Sequence, residues 1–121
     1  MKKILLIEDE KMLAEMYIDK FREAGHDIIL MFSAEEALDY LKENKPDLIL
    51  LDILLPRING IGFLEEFRKM KEISDILIVC LSNYDDPDVK TKAFDLGVKD
   101  YLIKTNYTPQ QLLVALSKYL E

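Results

Sequence analysis

The chain has 121 residues, half of them hydrophobic, and a single cysteine, so one domain over residues 1–121 is expected and an internal disulfide is excluded. Its 23 acids against 16 bases give a net charge of -7, and no Lys/Arg cluster lies on any predicted helix, which argues against direct nucleic-acid binding. The start Met1-Lys2-Lys3 leads only into Ile4-Leu5-Leu6-Ile7, too short for a signal-peptide core or a membrane span, so no membrane association is expected and the chain is read as cytoplasmic.

The run Ile4 to Ile7 predicts a first strand, closed by Glu8 and Asp9. Leu13, Met16, Tyr17, Phe21 and Ala24 then recur at helical spacing and predict the inner face of a first helix, with Gly25 as its left-handed stop. Asp27 to Phe32 reads as a partly alternating second strand. Ser33-Ala34-Glu35-Glu36 has the pattern of a capping box and opens a second helix with Ala37, Leu38 and Leu41 inward, stopped by Asn44 to Pro46. Leu48 to Leu51 is a third strand, closed by Asp52. After a loop from Ile53 to Asn59, a helix is predicted from about Gly60 to Lys71, burying Phe63, Leu64, Phe67 and Met70.

Ile76 to Leu81 is a fourth strand and leads into Ser82; it contains Cys80, which reads as a buried, inert thiol. Asp86-Pro87 supplies a cap and first residue for a helix reaching Leu96, whose inner face of Val89, Ala93, Phe94 and Leu96 is thin. Low local stability is expected there. Asp100 to Lys104 is a fifth strand, and Thr108-Pro109-Gln110-Gln111 opens a last helix burying Leu112, Leu113, Leu116 and Leu120.

Aliphatic runs without alternation belong to strands covered on both faces, and regular strand-helix alternation requires right-handed crossovers between parallel strands. The predicted architecture is α/β and doubly wound (flavodoxin-like), a five-stranded parallel sheet of order 2-1-3-4-5 with five helices on two faces. That order makes strands one and three neighbours and gathers Glu8, Asp9, Asp52, Ser82 and Lys104 at one edge, outside the carboxyl ends of the strands. Three acids, a hydroxyl and a lysine suit a hard divalent cation and a phosphoryl group. Glu10, Glu35 and Asp100 read as solvated loop acids, and His26 as a residue after a helix C-terminus.

The pieces Ile7-Glu8-Asp9-Glu10, Leu51-Asp52-Ile53-Leu54-Leu55-Pro56 with Asn59-Gly60, Leu81-Ser82-Asn83 and Asp100-Tyr101-Leu102-Ile103-Lys104 stand in order at strand ends, and with them the chain from Lys2 to Glu121 resembles a response-regulator receiver domain of two-component signalling. The resemblance implies that Asp52 is the phospho-acceptor, supplied by a sensor histidine kinase, a histidine phosphotransfer protein or a small phosphodonor. It implies that Glu8, Asp9, Asp52 and the backbone carbonyl of Leu54 hold Mg2+, and that Lys104 pairs with Asp52 and later with a phosphoryl oxygen. Ser82 would be the switch hydroxyl and Tyr101 the switch aromatic, whose ring leaves solvent as the hydroxyl turns inward. The output would be a shift of the face formed by the fourth helix, fifth strand and fifth helix toward a downstream effector protein, or a phosphorylation-linked homodimer. Such a chain is a stoichiometric acceptor with self-catalysed phosphorylation and dephosphorylation, and no other enzymatic activity is expected.

Thr105 stands where the family usually has proline after a cis peptide, so either a trans bond with a shifted loop or a strained cis bond is expected. Leu54 and Tyr84, two residues after Asp52 and Ser82, match positions that flank the acyl phosphate, and their bulk suggests restricted water access. An aspartyl-phosphate hydrolase would need a general acid two residues after its nucleophile, where Leu54 stands. Flavin binding would need a phosphate loop where Glu8-Asp9-Glu10-Lys11 stand. A receiver-like interaction module that works without phosphorylation, and a receiver cut from a larger DNA-binding regulator, remain open alternatives.

Overall fold

The computed structural model describes residues 2–73 and 75–121. Five strands, β1 (Lys3–Ile7), β2 (Asp27–Met31), β3 (Leu48–Leu51), β4 (Leu77–Ser82) and β5 (Asp100–Ile103), form one parallel sheet in the order β2-β1-β3-β4-β5. They alternate with α1 (Lys11–Glu23), α2 (Ala34–Tyr40), α3 (Gly60–Phe67), α4 (Pro87–Asp95) and α5 (Pro109–Leu116). Short 3-10 turns follow α3 at Lys71–Ile73, β5 at Lys104–Asn106 and α5 at Ser117–Tyr119.

The absence of alternation in the strands has its expected cause. Successive side chains of a strand point to opposite faces, and here both faces are cores. Leu5, Ile7, Ile49, Leu51, Ile78 and Cys80 pack with Ala37, Phe63, Leu64, Phe67 and Ala93 of α2, α3 and α4. Ile4, Leu6, Leu48, Leu50, Val79 and Leu81 pack with Ala14, Tyr17 and Phe21 of α1 and Leu112 and Leu116 of α5. Among the described residues no helix is long and apolar enough to cross a membrane.

Helix starts follow local chemistry closely. Thr108 and Gln111 form the full reciprocal capping box of α5, and Asp86 accepts from the amides of Asp88 (2.9 Å) and Val89 (3.2 Å) at the start of α4. At α2 the box is displaced: Ser33 Oγ accepts from the Glu36 amide (3.1 Å), while Glu36 reaches the Phe32 amide (2.8 Å) rather than that of Ser33. Gly25, at φ +90°, provides the left-handed stop after α1, and the His26 amide closes onto the Phe21 carbonyl (3.1 Å).

Helix faces and ends depart from expectation. On α1 the inner stripe is Ala14, Tyr17 and Phe21, while Met16 is 54% exposed and Ala24 is also outside. On α4 only Ala93 is fully buried, and Phe94 is 47% exposed. Each residue turns a helix by about 100°, so a small difference in roll puts an adjacent large side chain into solvent; the small Ala14 and Ala93 are what sit against the sheet. Helix α3 stops at Phe67 rather than Lys71, because the amides of Lys69 and Met70 turn to carbonyls three residues back, those of Glu66 and Phe67. Helix α5 likewise tightens into a 3-10 turn after Leu116, and Leu120 is still buried beyond it.

Candidate phosphoryl and metal site

The register builds the site. Ile7 is opposite Leu51, and the ladder runs one residue further, with the Asp52 amide donating to the Ile7 carbonyl (3.1 Å) and the Glu8 amide to that of Met31 (3.0 Å). The two acids are thereby fixed by backbone hydrogen bonds at the end of the sheet. Glu8 and Asp52 are buried, and Asp9 is exposed. Carboxylate oxygens of the three lie within 4.8 Å of one another.

Lys104 lies among them, 6% exposed. Its Nζ is 2.9 Å from Asp52 Oδ2 and also contacts Glu8 Oε1. Pairing with Asp52 was expected; the second carboxylate was not. The other oxygen of Asp52, Oδ1, accepts from the Leu54 amide (3.1 Å), which brings the Leu54 backbone beside the cluster, and Glu8 Oε2 accepts from the Glu10 amide (3.1 Å). Burial pushes the Glu8 carboxyl up to about 7, the Asp52 charge adds to this, and Lys104 opposes it. For Lys104 burial favours the neutral amine, but hydrogen bonds to Glu8 and Asp52 outweigh it and the ammonium is held above its usual range. Three carboxylates against one ammonium form a donor set of hard oxygens, which fits a small divalent cation such as Mg2+.

The Lys104–Thr105 bond is trans, since no cis peptide occurs among the described residues. The Thr105 amide, which proline would lack, donates to Asn83 Oδ1 (3.2 Å) and ties the β5 end to the loop after β4. The trans alternative therefore holds, and Lys104 nevertheless reaches both acids.

Ser82 is wholly buried, and its Oγ accepts from the Tyr84 amide (3.2 Å). Tyr101 is 8% exposed and its hydroxyl donates to the Tyr84 carbonyl (2.5 Å). An aromatic expected to leave solvent is thus already inside. Burial pushes its phenol up to about 12, with the Ser82 hydroxyl acting in the opposite direction. Leu54 and Tyr84 are 53% and 38% exposed, at the rim. Cys80 is buried and its thiol pushed up to about 12, first by burial and then by the Asp52 charge, as an inert thiol should be.

Two of the acids read as solvated are engaged. Glu35 pairs with Arg57 at 2.8 Å, which holds its carboxyl below the usual range, and Asp100 accepts from the Tyr119 hydroxyl (3.2 Å) and the Tyr101 amide (2.9 Å). Arg57 and Tyr119 lie 22 and 19 residues away in sequence from these acids, so no local pattern pointed to them. The Tyr84 carbonyl was equally hidden, because a backbone acceptor has no residue-type signature.

Gly60 lets α3 begin directly against Asp52. A Cβ there would stand 2.6 Å from Ile53 Cα and 2.8 Å from the Asp52 carbonyl, and the Gly60 amide donates to the Ile53 carbonyl (2.9 Å). Because the obstruction is backbone, Gly60→Ala is expected to destabilise the chain by about 1–3 kcal/mol, as overpacking does, and to move Asp52. Urea unfolding together with the Asp52 amide chemical shift checks this; an unchanged midpoint and shift would show that the loop yields freely.

A family model described as Response regulator receiver domain matches residues 4–117. The alkaline phosphatase synthesis transcriptional regulatory protein PhoP of Bacillus subtilis is 33% identical over 111 residues, 92% of this chain and 45% of its own length. The phosphorylated cyanobacterial phytochrome response regulator RcpA superposes with a TM-score of 0.88 at 27% identity, covering 99% of this chain and 94% of that one. The chemotaxis protein CheY4 of Vibrio cholerae shares the fold, with a TM-score of 0.89 at 24% identity and 98% of each chain covered. The chain spans about half the length of the curated relatives it matches, 42% to 51%. With its five-stranded order and an acidic cluster at the sheet edge, the chain belongs to the response-regulator receiver domain family of two-component signalling.

Proposed function

We propose that this chain is a phosphorylation-dependent switch in which Asp52 accepts a phosphoryl group from the phosphohistidine of a sensor histidine kinase or histidine phosphotransfer protein, or from a small phosphodonor. The observation that carries the reading is the buried Asp52 carboxylate, with Lys104 at 2.9 Å from one oxygen, inside a cluster of three acids. RcpA, similar over nearly the whole chain, is described in a phosphorylated form.

In this reading an Asp52 oxygen attacks phosphorus, the bond from phosphorus to the imidazole nitrogen breaks, and the histidine takes the electron pair. Glu8, Asp9, Asp52 and the Leu54 carbonyl would hold Mg2+, whose charge offsets the clustered carboxylates as an anionic phosphoryl group approaches. Lys104 transfers its hydrogen bond from the carboxylate to a phosphoryl oxygen. Ser82 gives up the Tyr84 amide to hydrogen-bond the phosphoryl group. Such a charge-assisted bond is worth about 1.5–3 kcal/mol, enough to bias a poised loop and not to refold a domain. The output surface is α4, β5 and α5, where α4 is anchored by one fully buried residue, Ala93.

Adding beryllofluoride with Mg2+ is expected to move the amide resonances of Ser82, Tyr84, Tyr101 and α4. No change, or an equal change in Asp52→Ala, would leave an interaction module that works without phosphorylation. Leu54 and Tyr84 at the rim are proposed to keep water from the acyl phosphate. Tyr84→Ala is then expected to shorten its half-life severalfold; a half-life of seconds that the substitution leaves alone would count against this.

A second reading concerns output. PhoP of Bacillus subtilis and BaeR of Escherichia coli are named transcriptional regulatory proteins, and this chain covers 45% and 48% of their lengths. Output through a transcriptional effector is therefore proposed alongside a separate protein partner or a phosphorylation-linked homodimer.

A further inference from the structure

Tyr101 is held inward by groups that belong to the β4–α4 connection and to α4 itself. Its hydroxyl donates to the Tyr84 carbonyl (2.5 Å). Lys90 Nζ stands 5.7 Å from the centre of its ring. The same ammonium pairs with Asp85 at 2.5 Å, and the Lys90 side chain is only 34% exposed. Asp85 directly follows the residue whose carbonyl receives the phenol, so one lysine bridges the helix above the ring and the loop that supplies its acceptor.

We propose that Lys90 is a positioning residue that holds Tyr101 inward before any phosphoryl group is present, so that the switch of this chain rests partly set. This builds on the reading of Tyr101 as the switch aromatic. A buried phenol needs a hydrogen-bond acceptor, and the Tyr101 hydroxyl finds it in the Tyr84 carbonyl, whose position depends on that loop. The loop is fastened at one end by the Tyr84 amide on Ser82 Oγ (3.2 Å) and at the other by the Asp86 cap of α4. Between them lies Asp85, and Lys90 is what draws it toward the helix. A cation over a ring face and a partly shielded ion pair together bias a two-state ring by about two- to tenfold. The same helix provides its own control: Lys92 faces away, 3.9 Å from Glu65, with both side chains more than half exposed.

The test uses the full chain labelled with 3-fluorotyrosine and carrying no phosphoryl group. The chain has six tyrosines, and the Tyr101 fluorine signal is the one lost in Tyr101→Phe. Its contact with solvent is read by relaxation from a neutral paramagnetic agent, and urea unfolding monitors overall stability. Lys90→Met, which keeps much of the stem and loses the charge, is expected to raise the outward population of Tyr101 about two- to tenfold. Lys90→Arg is expected to restore it, since a guanidinium keeps both the ring contact and the ion pair. Lys92→Met should leave it unchanged.

The proposal is overturned if Lys90→Met leaves Tyr101 as it was, if Lys92→Met displaces it equally, or if Lys90→Arg behaves like Lys90→Met. The readout needs no phosphorylation. Failure of Asp52 to take up phosphoryl would therefore sink the functional reading without touching this result, and a negative result here would leave Asp52 chemistry standing.

Discussion

A chain carrying Asp52→Asn is expected to gain no phosphoryl group from acetyl phosphate at any Mg2+ concentration, while the native chain gains one. The amide of asparagine has no anionic oxygen with which to attack phosphorus, and it removes one of the three carboxylates whose oxygens lie within 4.8 Å of each other. It is nearly the same size as the acid, and its oxygen can still accept from the Leu54 amide, which lies 3.1 Å from Asp52 Oδ1. The fold should therefore survive, with Lys104 kept by Glu8. Intact mass after incubation with Mg2+ and acetyl phosphate reads the result. A phosphoryl group retained in the variant would point to Asp9 or Glu8 as the acceptor and end the assignment to Asp52.

Removing the ammonium should have the largest effect on stability. Lys104→Met leaves Glu8 and Asp52, both buried, without the cation that contacts them. Breaking a buried pair by deleting one partner costs about 3–5 kcal/mol. The loss should depend on pH in a stated direction. The Glu8 carboxyl is raised to about 7 from an ordinary 4.5, so between those values the native protein binds more protons than the unfolded chain. What Glu8 contributes is fully present below the lower value and disappears as pH rises through the upper one. Without Lys104 to oppose burial and the Asp52 charge, Glu8 should shift further upward, and the variant should lose more stability near pH 8 than near pH 6.

A divalent cation should reverse part of that loss. A ligand held only by the native state adds about 2.7 kcal/mol at one hundred times its dissociation constant, and with the lysine gone the carboxylates should hold Mg2+ more tightly than in the native chain. Urea unfolding with and without Mg2+ near pH 6 and near pH 8 separates the two effects. Equal stability of variant and native chain near pH 8, or no response to Mg2+, would show that the cluster is less charged or less enclosed than its geometry implies.

Which features were legible in the amino-acid order follows a physical division. The strands could be read because a residue run buried on two faces must be aliphatic throughout, and Ile49 and Leu50 do face different cores. Helix starts could be read because caps are local: Ser33, Asp86 and Thr108 each accept amides two or three residues ahead. The gathering of Asp52 and Lys104 at one edge could also be read, since both follow strands that must end there, while their pairing was implied by the family resemblance. What escaped was non-local or dependent on rotation. Met16 and Phe94 were placed inward by periodicity and lie outward, because the roll of a helix is decided by whatever it packs against.

By itself, then, the order of residues determined the strands, their parallel alternation with helices and, through the common doubly wound order, the gathering of three acids, a hydroxyl and a lysine at one end, because burial on two faces and right-handed crossovers narrow the arrangements to a few. Only the tertiary structure decided that Lys104 serves two carboxylates, that Thr105 keeps a trans bond and gives its amide to Asn83, and that Tyr101 already lies inside against the Tyr84 carbonyl under Lys90. Those contacts join side chains to other side chains or to backbone groups well separated in the chain, and their geometry is set by packing, which no local pattern records.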